Sequence, residues 1–195
     1  MTEVVLFHHV QGLTDGVRAF ADELRAGGHI VHAPDLFDGE RPETVDAGVA
    51  FVKSMGDTLS ERAKKVVADL PETLVYAGFS WGGSNAQEFA QTRAGARGAL
   101  LYESCMPITG DWAVGPWPDG VPVQIHGMER DPIFGLEGDL EFARELVKTV
   151  GPELAELFVY PGDQHLFTDS SLPSYDAKAT EQVVRRSLEL LDRVG

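Results

Sequence analysis

The chain has 195 residues, 43% of them hydrophobic and 24% charged, a composition typical of a folded globular protein and not of a disordered one. Sixteen Lys and Arg against 31 Asp and Glu give a formal net charge of −15, which repels nucleic acid phosphates and anionic membrane surfaces, so we expect neither as a partner. A single cysteine, no basic leader and no run of about 18 apolar residues exclude an internal disulfide and favour a cytoplasmic location without a membrane anchor.

Short β-branched and aromatic runs alternate with longer stretches of helical periodicity, which predicts a mostly parallel sheet with right-handed helical crossovers. The predicted strands are Glu3–Phe7, His29–Ala33, Leu74–Gly78, Gly98–Glu103, Val121–His126 and Leu157–Tyr160. The predicted helices are Gly16–Ala26, Thr44–Leu70, Gly82–Thr92, Asp139–Val150 and Ser174–Arg193, the second being one helix or two because Gly56-Asp57 offers a break. We expect one α/β domain over residues 1–195, with about six strands, helices on both faces and no separate lid domain.

The strongest local signal is the segment GFSWGG, residues 78–83, between a predicted strand and a predicted helix. It matches the G-x-S-x-G nucleophile elbow in its strand–turn–helix setting, where Ser80 would lie in a strained turn and its neighbours two positions away must lack side chains. The N–H of Trp81 and the N-terminus of the helix would then point to one place, where they could stabilise an oxyanion. The alternative is a plain strand-to-helix turn with a capping serine.

A serine hydroxyl needs a base, and the usual base is a histidine oriented by a carboxylate. His165 follows the strand ELFVY through a polar turn, and Asp131 follows the strand VPVQIHG through a short loop. Both should reach the edge of the sheet at which Ser80 lies. The order Ser80, Asp131, His165 along the chain is that of α/β-hydrolases, so we predict that these residues are the nucleophile, the orienting acid and the base.

Other residues compete for these roles. Three acidic residues are close enough in sequence to replace Asp131, namely Glu129, Asp139 and Asp163. His126 ends a strand and is expected to hold the Asp131 loop. The adjacent His8 and His9 would point to opposite faces of a strand, and no H-E-x-x-H or similar zinc-ligand spacing occurs, so we predict no metal and no cofactor.

Four stretches of the chain, between Val4 and Asp192, resemble the dienelactone hydrolase family of α/β-hydrolases: VVLFHHVQGLTDGVRAFADELRAGGHIVHAPDLFDG, VYAGFSWGG, VPVQIHGMERDPI and VYPGDQHLF. The resemblance implies a triad of Asp131, His165 and Ser80, the serine standing where many family members have cysteine. It also implies that the backbone N–H of Val10, in the loop after the first strand, is the second oxyanion donor beside Trp81.

Two positions differ from the family pattern. His9 stands where members with a cysteine often have a glutamate near the thiol, and we expect it to contact the substrate or the oxyanion. Asp169, four residues after His165, stands where dienelactone-cleaving members use an arginine for the substrate carboxylate. A carboxylate facing a carboxylate would repel it, so we do not expect dienelactone itself to be the substrate.

An aromatic rim at the catalytic edge would favour an uncharged acyl or lactone group. The aromatic side chains expected on this rim are those of Trp81, Trp112, Trp117, Phe134 and Phe167, and the last four are predicted to form the pocket together with His9. The predicted function is that of a serine hydrolase whose partner is a small-molecule ester or lactone. The alternatives are a non-catalytic ligand-binding protein of the same fold, and an acyltransferase or perhydrolase with the same triad.

Overall fold

A computed structural model describes residues 1–195. One sheet is formed by β1 (Glu3–Phe7), β2 (Ile30–His32), β3 (Leu74–Phe79), β4 (Ala96–Tyr102), β5 (Val123–Met128) and β6 (Ala155–Tyr160). The strand order is β2-β1-β3-β4-β5-β6, and every neighbouring pair is parallel. Because all strands run the same way, the loops that follow them gather at one edge of the sheet, which we call the carboxyl edge.

Helices cover both faces of this sheet: α1 (Asp15–Ala26), α2 (Val45–Met55), α3 (Thr58–Ala68), α4 (Trp81–Thr92), α5 (Asp139–Val150) and α6 (Ala177–Val194). Helices α1 and α6 share one buried cluster, in which Phe20 and Leu24 of α1 lie with Val183 of α6. Helices α3, α4 and α5 form the other cluster, and α2 packs against it through partly buried side chains. Since both faces are covered, the central strand β3 is a continuous buried run, LVYAGF.

The predicted α/β class, the parallel sheet of six strands and the helices on both faces are confirmed. The stretch Thr44–Leu70 is two helices, because the chain breaks at Gly56 with φ of 52°. The last helix begins after Ser174, at Ala177, because the Asp176 carboxylate accepts the N–H of Ala179 at 2.9 Å and caps it.

Five of the six strands differ from their predicted bounds by one or two residues, all except β1, and two of these differences have a visible cause. Strand β5 starts at Val123 and not at Val121, whose N–H bonds to the carbonyl of Pro118 in a turn. Strand β4 ends one residue before Glu103, which leaves the sheet with φ of 56°. None of the helices combines the length and the apolarity that crossing a bilayer requires.

Candidate active site

Ser80 lies in a strained turn between β3 and α4. Its φ is 48°, in the left-handed region, and its N–H donates to the carbonyl of Tyr102 at 2.8 Å. A Cβ at Gly82 would collide with the carbonyl oxygens of Phe7 and His8, so only glycine lets the start of α4 approach the end of β1 this closely. The turn therefore has the strand–turn–helix geometry that G-x-S-x-G predicts.

His165 joins Ser80 to Asp131 through hydrogen bonds. Its Nε2 is 2.9 Å from Ser80 Oγ, and its Nδ1 is 2.7 Å from Asp131 Oδ2. The carboxylate can only accept, so Nδ1 carries the ring proton and Nε2 accepts the hydroxyl proton of Ser80. The three residues come from loops after β3, β5 and β6, and the structure brings them together as the sequence predicts.

Asp131 is fully buried and fixed by its own loop. Its Oδ1 accepts the N–H of Ile133 at 2.8 Å and of Phe134 at 3.2 Å, which leaves Oδ2 for His165. The three competing acids do not contact His165: Glu129 pairs with Arg130, Asp163 bonds to Gln164, and Asp139 accepts the N–H of Cys105. His126 does not hold this loop, because it bonds to Tyr160 and Gln124 within the sheet.

The electrostatic surroundings of His165 are acidic. Burial alone would lower the pKa of His165, but its hydrogen bond to Asp131 and the charges of Glu103, Asp131 and Asp139 outweigh burial and raise the pKa above 6.5. Burial raises the pKa of Glu103 to about 7 and the pKa of Asp139 to about 6. Glu103 was not among the predicted site residues, although its position directly after the strand that contains ALLY, at the carboxyl edge, was an available signal.

The loop after β1 brings the Val10 backbone close to α2 and α4. The Val10 N–H makes no backbone hydrogen bond, and a Cβ at Gly48 of α2 would collide with the Val10 carbonyl. Trp81 is the first residue of α4, so its N–H has no hydrogen-bond partner within the helix. Of the two N–H groups predicted to bind an oxyanion, that of Trp81 thus lies at the N-terminus of α4. That of Val10 lies in the loop after β1, and Gly82 allows this loop to approach the N-terminus of α4.

Hydrogen bonds made by the His8 and His9 rings fix the conformation of this loop. His8 Nδ1 donates to the His9 carbonyl at 2.8 Å, and its Nε2 accepts the N–H of Leu36 at 3.1 Å. Gln11 N–H donates to His9 Nδ1 at 3.1 Å, so His9 Nε2–H is the donor to Asp169 Oδ2 at 2.8 Å. His9 is fully buried and both of its ring nitrogens are occupied, which leaves neither nitrogen free for the expected contact with the substrate or the oxyanion.

Asp169 also has a different environment from the one expected. It is buried, and its carboxylate accepts hydrogen bonds from His9, Thr14 and Ser171 instead of facing a substrate. Burial alone would raise the pKa of Asp169, but these hydrogen bonds outweigh it and lower the pKa to about 2. The His9–Asp169 hydrogen bond thereby joins the loop after β1 to the loop that carries His165.

We expect Asp169→Asn to lower the free energy of unfolding by about 2–4 kcal/mol at pH 7, since an amide nitrogen would face the donors on His9 and Thr14. Because the folded-state pKa is lowered, the stabilising contribution of Asp169 is present above its ordinary pKa of 3.8 and is lost as the pH falls towards 2. The difference between variant and wild type should therefore shrink over that interval.

Urea unfolding at pH 7 and at pH 3 measures both effects. Asp119→Asn, at an exposed position before β5, is the matched control and should change the free energy of unfolding by less than about 0.5 kcal/mol. An Asp169→Asn variant as stable as this control would show that the buried hydrogen bonds of Asp169 contribute nothing.

The four predicted pocket aromatics do not form a common rim. Trp112 is 90% exposed, and Trp117 lies beyond the opposite edge of the sheet, where its Nε1–H donates to the Val121 carbonyl at 2.8 Å. Phe134 is fully buried, its ring filling the space beside Gly127. Phe167 is also fully buried, in the cluster with α1 and α6. The prediction of an aromatic pocket from these residues is wrong.

A different set of residues forms a cleft beside Trp81, the neighbour of Ser80 in the chain. Its volume is about 200 Å³, and it runs between α2, α3 and the start of α4. The lining side chains include Val52, Leu59, Asn85 and Met106. None of these four was singled out in the sequence, because each falls in a helix or loop whose neighbours only the fold reveals.

Comparisons with known proteins agree with this architecture. The chain is 26% identical to a protein of Escherichia coli K12 provisionally named carboxymethylenebutenolidase, over 98% of this chain and 77% of that one. A Klebsiella pneumoniae structure provisionally described as a dienelactone hydrolase superposes with a TM-score of 0.75 at 18% identity, covering 99% of this chain and 87% of the other. A propionate-bound esterase from Thermogutta terrifontis superposes with a TM-score of 0.62 at 20% identity, covering 100% and 84%.

The family model described as "Dienelactone hydrolase family" matches residues 1–195. This match spans the four stretches on which the sequence resemblance depends, together with all six strands. The structural likenesses independently identify the α/β-hydrolase fold. The chain belongs to the dienelactone hydrolase family of carboxylic-ester hydrolases.

Proposed function

We propose that the protein is a serine hydrolase that cleaves a small ester or lactone through an acyl-enzyme on Ser80. The observation that carries the proposal is the pair of contacts made by His165, 2.9 Å to Ser80 Oγ and 2.7 Å to Asp131 Oδ2. This is the hydrogen-bond order that a nucleophile, a base and an orienting acid require. The family membership supports hydrolysis of esters or lactones as the reaction class.

The reaction would proceed in two steps. In the first, Ser80 Oγ attacks the substrate carbonyl while His165 Nε2 takes the hydroxyl proton, and the N–H groups of Val10 and Trp81 bind the oxyanion. His165 then gives this proton to the leaving alkoxide as the ester bond breaks. In the second step a water molecule, deprotonated by His165, attacks the acyl carbonyl, and Ser80 leaves with its proton restored. Asp131 orients the imidazole throughout and stabilises its positive charge.

Covalent labelling with an alkyl fluorophosphonate tests the nucleophile directly, because the probe reacts with an activated serine. We expect one adduct, which peptide mass spectrometry should locate at Ser80 and not at Ser84 or Ser104. Short-chain p-nitrophenyl esters and small lactones should compete with the probe and be hydrolysed. A folded protein that neither takes up the probe nor hydrolyses these compounds would instead be a non-catalytic binding protein, and the proposal would fail.

We further propose that the substrate is an uncharged small molecule. The pKa of His165 is raised by three acidic side chains, Asp131, Glu103 and Asp139, and the chain carries a net charge of −15. The Asp169 carboxylate is occupied by its buried hydrogen bond to His9. Family members that bind a substrate carboxylate have an arginine at this position. The same negative charge argues against substrates presented on nucleic acid or on an anionic membrane.

A matched pair of esters measures this preference. We expect kcat/KM for neutral p-nitrophenyl pentanoate to exceed that for mono-p-nitrophenyl succinate, which carries a carboxylate at similar length, by about 10- to 100-fold at low salt. The ratio should fall as the ionic strength rises, because salt screens the repulsion. Equal or faster turnover of the succinate ester would contradict the proposed substrate class and leave the serine mechanism intact.

A further inference from the structure

Glu103 occupies a position that the mechanism above does not use. It is the first residue after β4, which lies between β3, the strand leading to Ser80, and β5, the strand leading to Asp131. Its side chain is 1% exposed, and its backbone has φ of 56°, which is uncommon for a residue with a Cβ. The Glu103 N–H donates to the His126 carbonyl at 2.6 Å, which holds this turn against β5.

The carboxyl group of Glu103 is only half satisfied. Its Oε1 accepts the hydroxyl of Thr168 at 3.2 Å and the N–H of Thr168 at 3.4 Å, while its buried Oε2 accepts no hydrogen bond from any other protein group. Thr168 lies three residues after His165, on the same loop. Burying a carboxyl group without a full set of partners is costly to the fold, so the position of Glu103 calls for an explanation.

We propose that Glu103 is a positioning residue for His165, whose carboxyl holds the His165 loop through Thr168 and stabilises the imidazolium formed when Ser80 gives up its proton. The inference rests on the proposed function. This role accounts for the unpaired Oε2 of Glu103. The positive charge that would compensate an ionised Glu103 is present only while His165 carries a proton on each ring nitrogen.

The charges around His165 decide how large this effect can be. The ionisable groups that act on His165 are Asp131 after β5, Glu103 after β4 and Asp139 at the start of α5. Those that act on Glu103 are His165, which favours its ionised form, and Asp131, which disfavours it. In a buried setting, where water screens little, an ionised Glu103 stabilises a protonated His165.

The variant Glu103→Gln removes the charge while keeping the shape and one acceptor for Thr168. We expect kcat at pH 7 to fall about three- to tenfold with KM little changed, and the acid limb of the kcat/KM profile to move to lower pH by about 0.5 to 1 unit. Glu129→Gln is the matched control, since Glu129 is half-exposed, pairs with Arg130 and follows β5 near the same site. It should leave both quantities unchanged.

The pH dependence of stability reports separately on the buried carboxyl. Burial raises the pKa of Glu103 to about 7, so its contribution to stability is present at low pH and is lost as the pH rises from about 4.5 to about 7. Glutamine does not titrate, so the melting temperature of Glu103→Gln relative to wild type should rise between pH 5 and pH 8. A purely structural anchor would change stability without moving the acid limb of activity.

The inference is overturned if the acid limb of the kcat/KM profile lies at the same pH in Glu103→Gln and in an active wild type, whatever the stability of the variant. If Glu103→Gln does not fold, Thr168→Val serves instead. It removes the hydroxyl donor to Oε1, so Glu103 ionises less readily and the limb should move in the same direction by a smaller amount. An unshifted limb in a folded Thr168→Val would then overturn the inference. Wild-type hydrolysis and labelling at Ser80 test the proposed function independently of either variant.

Discussion

Ser80→Ala should reduce kcat for a short p-nitrophenyl ester by at least about 10⁴-fold while leaving KM within a few-fold of wild type. The reason is that only Oγ of Ser80 lies within 2.9 Å of His165 Nε2, so its removal leaves the base without a nucleophile to activate. The proposed oxyanion donors, the N–H groups of Val10 and Trp81, belong to the backbone and remain, so a residual rate above that of water is expected. Steady-state p-nitrophenol release measures the loss.

Ser84→Ala is the matched control for this experiment. Ser84 lies one turn further along α4, and only its backbone N–H contacts Ser80, donating to the Ser80 carbonyl at 3.3 Å. The same truncation there should leave kcat within about twofold, since surface and half-buried hydroxyls that make no catalytic contact contribute little. A Ser80→Ala variant that keeps a tenth or more of wild-type kcat would show that acyl transfer to Ser80 is not the route of hydrolysis.

The fold could be predicted because its signals are local. The apolar runs VVLF and LVYAGF become β1 and β3, since a strand buried on both faces needs no polar alternation. The segment VQIHGM becomes β5 and is equally buried, although Gln124 and His126 are polar. The meeting of Ser80, Asp131 and His165 followed from the same logic, because parallel strands deliver the residues after them to one edge. The strand assignments therefore placed all three residues at one edge, while the structure was needed to distinguish Asp131 from Glu129, Asp139 and Asp163 as the partner of His165.

The surroundings of the site could not be predicted in the same way, because they depend on contacts between distant segments. His9 and Asp169 are 160 residues apart, and no local period records that one hydrogen bond closes between them. Trp117 was placed at the carboxyl edge because it follows β4, but the loop returns to the start of β5 before Trp117 is reached. Phe134 follows β5 as Asp131 does, yet its ring turns inward to fill the space left by Gly127.

These misassignments share a physical origin. A long loop has no periodicity that fixes which of its side chains are buried, and packing density decides the matter only once all elements are assembled. The carboxyl edge is less aromatic than its loop sequences suggest, and it is acidic, since Glu103 and Asp139 act on His165 together with Asp131. We therefore expect activity to depend strongly on the protonation state of His165.

Asp131→Asn tests that dependence most severely, and we expect it to lower kcat at neutral pH by about 10⁴-fold. The position of Oδ1 accepts two backbone N–H groups, from Ile133 and Phe134, so the amide oxygen of the asparagine must take that place. The amide NH₂ then faces His165 Nδ1 and donates to it. The ring proton is thereby forced onto Nε2, which can no longer accept the hydroxyl proton of Ser80.

Steady-state kinetics of Asp131→Asn beside Asp163→Asn measure this effect, since Asp163 is an exposed acid in the turn just before His165 and its variant should retain wild-type kcat. The tautomer argument also requires that labelling by the fluorophosphonate slow in parallel with kcat, because both reactions need an activated Ser80. A folded Asp131→Asn variant with kcat within tenfold of wild type would mean that another carboxylate orients the imidazole. Glu103, buried and with one oxygen unpaired, would then be the group to test in the double variant.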